Sequence, residues 1–113
     1  MSLASLYSVP ESPGDWHVWS FANADSHLRI IQAIFAQQKQ ELPYLSVDPI
    51  PWDSLSDWLR NHQQMHNDMD GVLDIQSSDF TIPSFRDRAD MEAFILAHAD
   101  EHRSAEQALG LTG

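Results

Sequence analysis

Cysteine is absent from this chain of 113 residues, which excludes a disulfide framework, thiolate metal sites and a cysteine nucleophile. Histidine and carboxylate remain as ligands. Lysine occurs once, as Lys39, and the 17 acidic residues against 6 basic ones give a formal net charge of -11. That field repels polyanions, so neither nucleic acid nor an anionic membrane is an expected partner, whereas cations or a basic protein surface suit it. No apolar run approaches the roughly 20 residues of a membrane span. Met1 to Pro10 lacks the basic start of a signal peptide, so the expectation is a soluble product that stays where it is made. A Gly-rich phosphate loop and a nucleophile elbow are also missing, which leaves nucleotide hydrolysis and serine hydrolase chemistry without support.

What is present is helical periodicity. Ser12-Pro13-Gly14-Asp15 reads as a turn or helix start, because proline fits the first helical position and Ser12 and Asp15 accept free amides. Trp16, Trp19 and Phe21 then suggest a short aromatic segment lying against a bundle. The first long helix is predicted from about Asp25 to Gln40, with His27, Ile30, Ile31, Ile34 and Phe35 facing inward. Pro43, Pro49 and Pro51 make Leu42 to Pro51 a connecting arm. Asp53 or Ser54 caps a second helix whose inward stripe is Leu55, Trp58, Leu59, His62, Met65, His66 and Met69, with Gly71 as its left-handed C-terminal residue. Gln76 to Phe85 reads as a loop anchored by Phe80, Ile82 and Phe85. The last helix runs from near Asp87 to Gly110, with Met91, Phe94, Ile95, His98, His102, Ala105 and Leu109 inward.

Five of the six histidines fall on these apolar stripes, and His62 with His66, like His98 with His102, are spaced four apart. Residues at that spacing stack on one helix face, so each pair can present two ring nitrogens to one ion. Neutral imidazole binds zinc, iron, copper and nickel, usually backed by carboxylates. Asp25, Asp70 and Glu101 are the candidate carboxylates, Asp70 following His66 by four residues and Glu101 adjoining His102. The competing reading makes the histidines hydrogen-bonded core residues without an ion. The tryptophans, Trp58 above all, are read as core more readily than as an interaction surface.

Three motif likenesses accompany this pattern. His98-Ala99-Asp100-Glu101-His102 resembles the H-x-x-E-H motif of inverted zinc peptidases, in which two histidines hold zinc and the glutamate is the general base. Only the motif is shared, for those peptidases draw a further acidic ligand from a much larger domain. The order His27, His62 and His66, His98 and His102 resembles hemerythrin-like bundles, which implies two irons that bind oxygen, with Asp70 supplying a bridging carboxylate. It is also similar to DinB-like bundles, which implies one metal on three histidines.

A wider resemblance, to small proteins encoded by tailed bacteriophages, is carried by several stretches of the chain. These are Trp16-His17-Val18-Trp19-Ser20-Phe21, His27 with Ile30 to Ile34, His62-Gln63-Gln64-Met65-His66, Leu73-Asp74-Ile75 and Leu96 to His102, with Ala105, Leu109 and Gly110. It implies a virion or assembly component, found in the virion or in the host cytoplasm during assembly and associating with itself and with other virion proteins. Asp74 and Ser77-Ser78 depart from that pattern, where glycine is expected.

The resulting expectation is one all-α domain, 1-113, of three antiparallel helices with the aromatic N-terminal segment as a fourth layer. Its favoured role is noncatalytic and structural, with a cluster of His27, His62, His66, His98 and His102, backed by Asp70 and Glu101, able to hold zinc or iron. The alternative is a nonheme metal protein with oxygen or redox chemistry.

Overall fold

A computed structural model describes residues 3–39, 55–80 and 87–111. These form a 3₁₀ turn, Leu3–Tyr7, and three helices, α1 (Pro13–Gln38), α2 (Leu55–Leu73) and α3 (Arg88–Ala108), with no strand among the described residues. The small all-α bundle expected from the periodicity is what forms. The proline arm Leu42 to Pro51, the caps Asp53 and Ser54, and Ile82, Pro83 and Phe85 lie outside the described residues.

Helix α1 begins twelve residues before the predicted start. Ser12 is extended and its hydroxyl accepts the Asp15 amide at 3.1 Å, with Pro13 opening the first turn. Nothing between Asp15 and Gln38 is a proline or glycine, so the helix continues past Asn23 and Asp25 although both are good N-cap types. Trp16 and Trp19 are therefore core residues of the first turns of α1, not a separate fourth layer. Phe21 and Phe35, both expected inside, are 57% and 51% exposed. The layer added to the bundle is the 3₁₀ turn: Leu6 is fully buried and the Tyr7 hydroxyl donates to Asp100 of α3 at 2.7 Å.

The helix directions also differ from expectation. Trp19 packs on Trp58 and Phe94, His27 meets His62, His66 and His102, and Ile30 and Ile34 cluster with Met69 and Ala105. Contacts thus advance together along all three helices, which run parallel. Antiparallel neighbours need only short connections, and both connections here are long enough to return the chain to the starting end. The second return is partly visible. Gln63 donates to the Ser78 carbonyl and accepts from the Phe80 amide, both at 2.9 Å, tying the descending segment to α2.

Gly71 does not end α2. It lies inside the last turn, and Asp74 takes the left-handed conformation at φ 57. The Asp74 and Ile75 amides bond to the carbonyls of Gly71 and Asp70, the paired bonds of a Schellman ending. Ile75, the first residue after the turn, packs with Val72 and Leu73 against the cluster of Ile30, Ile34 and Met69. Helix α3 ends the same way on Gly110, at φ 73.

Two apolar layers result. One joins Leu6, Trp16, Trp19, Leu59, Phe80, Phe94 and Ile95; the other joins Ile30, Ile34, Met69, Ala105 and Leu109. The inward histidines fill the level between them.

Candidate metal centre

Parallel packing brings the histidine levels of the three helices into register. His27, His62, His66, His98 and His102 each offer a ring nitrogen to a cluster in which all five atoms lie within 4.8 Å of one another. The Nε2 atoms of His27, His62 and His66 form a triangle with every side 3.2 Å. His98 Nε2 stands 2.9 Å from that of His62 and 3.1 Å from that of His102. Hydrogen bonding cannot account for the triangle, because one N–H pointing at its middle cannot align with two neighbours at once. An ion can. Two nitrogens each about 2.1 Å from one ion stand roughly 3.0 to 3.4 Å apart at octahedral or tetrahedral angles.

The imidazoles are dry: four are at most 1% exposed and His62 is 6% exposed. Burial lowers His27, His62, His98 and His102 well below the ordinary imidazole value, and neighbouring imidazoles lower them further. Burial alone takes His66 down to about 3. All five are neutral at physiological pH, the state in which imidazole ligates metal.

Their walls come from all three helices and the returning segment. Trp58 stacks on His62 at 4.7 Å and 12°, Trp19 lies 5.1 Å from His98, and Phe80 lies 5.0 and 5.1 Å from His66 and His98. Carboxylates stand behind the imidazoles rather than among the converging atoms. Glu101 faces His66 Nδ1 at 3.7 Å while its other oxygen accepts the Ser78 amide at 3.1 Å. Asp70 is fully buried, its carboxyl pushed up to about 8 by burial first and then by Glu101, so it keeps its proton at neutral pH. On the far side, His102 Nδ1 lies 2.7 Å from the Ser26 hydroxyl, which donates to Glu106 at 2.8 Å. Carboxylates behind imidazole ligands are a usual support of a metal site, orienting the rings, a part that Glu101 and Glu106 are placed to take.

The five histidines named from the sequence are thus the five brought together. Glu101 is beside them at His66, and Asp70 is buried against Glu101. Asp25 is not part of the site; it is partly exposed and paired with Arg29 at 3.4 Å. The sixth histidine, His17, is exposed against the Phe21 ring. Sequence reasoning missed Ser26 and Glu106, both 1% exposed. A signal for Glu106 existed: α2 reads His62, His66, Asp70 and α3 reads His98, His102, Glu106, two histidines and an acid at steps of four. Ser26, beside His27, carried no comparable spacing.

No protein-family model, curated protein or solved structure matches this chain. The site therefore stands on its own geometry.

Proposed function

We propose that this chain is a transition-metal protein in which one divalent ion, held by His27, His62, His66, His98 and His102, joins three parallel helices. The observation that carries this reading is the 3.2 Å triangle of Nε2 atoms in a buried layer of neutral imidazoles. An all-nitrogen donor set favours ions such as zinc or iron(II) over calcium or magnesium, which prefer oxygen. The enclosure by Trp19, Trp58 and Phe80 suits a closed, structural centre more than a catalytic one, which keeps a position open. The role is then noncatalytic. Resemblance to tailed-phage proteins supports a virion or assembly component as the setting, with other virion proteins as partners.

Metal analysis of protein purified without an affinity tag tests the centre. We expect close to one zinc or iron per chain, and a chelator that lowers the melting temperature of the natural protein but not of His62→Ala or His98→Ala. Equal melting temperatures for metal-loaded and stripped natural protein would retire the metal.

A second reading, nonheme iron with oxygen or redox chemistry, is favoured by one observation: Glu101 is buried 3.7 Å from His66 and interacts with a second buried carboxyl, Asp70. Iron(II)-loaded protein exposed to oxygen would then develop new visible absorption. An unchanged spectrum would leave the structural reading alone.

A further inference from the structure

We infer that Ser26 and Glu106 form a positioning relay that fixes which nitrogen of His102 faces the cluster, an inference that rests on the metal reading above. A serine hydroxyl has one proton to give. Ser26 gives it to Glu106 Oε2 at 2.8 Å, so toward His102 Nδ1, 2.7 Å away, it can only accept. The proton of neutral His102 is therefore on Nδ1, and the lone pair of Nε2 points into the cluster.

Arg29 holds the far end of the relay. Its Nη1 lies 3.1 Å from Glu106 Oε1, which fixes that side chain as an acceptor with its other oxygen turned to Ser26. Ser26 and Glu106 are 1% exposed, so bulk water does not compete for either bond. Arg29 itself is 38% exposed and links the relay to the surface. Ser26 is thus a positioning residue. It touches no ion, and it acts by keeping a proton out of the space where the ion is held.

Without the hydroxyl, His102 Nδ1–H has no acceptor in a buried site, and the ring gains the alternative tautomer with its proton on Nε2. Loss of such a supporting partner typically weakens metal binding by about 10- to 100-fold. Nitrogen-15 spectra of the imidazoles in metal-free protein, with zinc titrated against a chromophoric chelator, form the test. The natural protein should show His102 protonated on Nδ1. Ser26→Ala should lose that single tautomer and bind zinc roughly 10- to 100-fold more weakly, and Ser26→Thr, which keeps the hydroxyl, should restore both. His102 protonated on Nε2 in the natural protein, or Ser26→Ala binding zinc as tightly as the natural chain, overturns the relay. If the natural chain binds neither zinc nor iron(II), the metal reading fails while the His102 spectrum still decides the relay. Should Ser26→Ala not fold, the natural spectrum and the Ser26→Thr titration decide it.

Discussion

A buried imidazole is neutral in the folded chain and free to take a proton once the chain opens, and that difference sets the response to acid. The folded values of the five histidines lie below the unfolded value of 6.5, His66 at about 3. Below 6.5 the unfolded state binds more protons, so the stability these residues contribute is present above that pH and is lost as pH falls. Asp70 acts in the opposite sense. Its folded value of about 8 lies above the unfolded 3.8, so its contribution is present below 3.8 and is lost as pH rises through about 8. The metal-free protein should therefore melt highest near neutral pH, with a steep acid arm from five histidines and a shallow alkaline arm from Asp70. Thermal melts in chelator across this range check it, and Asp70→Asn should remove the alkaline fall and steepen the acid arm by the one proton with which Asp70 opposes the histidines between 3.8 and about 8. A melting temperature that rises on acidification from neutral would contradict burial of neutral imidazoles. At this scale the sequence was most legible: an apolar stripe plus a spacing of four places a histidine inward without knowledge of the fold. Ser26 was not legible, because one small polar residue on an inner face has no periodic signature until its partners from α3 are known.

At the scale of elements, helix existence was readable and helix ends were not. Apolar repeats located all three helices, but an ending depends on which residue accepts a left-handed backbone, and that is settled by the contact the next residue makes. Val72 and Leu73 pack from within the helix and Ile75 packs just after it, so Asp74 and not Gly71 turns the chain. The distinction is measurable. An added Cβ at Gly71 meets nothing within 4 Å and lies in helical backbone, so Gly71→Ala should stabilise by roughly 0.5 to 1 kcal/mol. Gly110 has equal space but sits at φ 73, so Gly110→Ala should destabilise by about 1 kcal/mol. Urea denaturation of both variants reads the two signs. A destabilised Gly71→Ala would return the helix end to Gly71. The long α1 was hidden for a related reason: Asn23 and Asp25 are cap types, yet a cap starts a helix only where the preceding backbone is extended.

The parallel course of the helices belongs to the whole molecule, and its trace in the sequence was the length of the two connections rather than any residue in them. Parallel packing leaves the outer face of α1 with an unusual load, for Val18, Phe21, Leu28 and Phe35 are 50%, 57%, 55% and 51% exposed. Phe21, Leu28 and Phe35 are seven apart, the spacing that keeps a seam straight along a helix. Two copies of α1 laid antiparallel about Leu28 would place each Phe21 against Phe35 of the second copy and Leu28 against itself. That is the self-complementarity a two-fold interface requires. The opposing factor is the net charge of -11 on each chain, whose repulsion salt screens. Self-association through α1 should therefore tighten as ionic strength rises, unlike a contact built on ion pairs. Sedimentation at low and high salt measures this, with Leu28→Glu as the control because it sets like charges against each other on the two-fold axis. We expect dimer to increase with salt in the natural protein and to be lost in Leu28→Glu at an unchanged melting temperature. A natural chain that stays monomeric at high salt and high concentration, or a Leu28→Glu variant that associates equally well, would remove α1 as the interface.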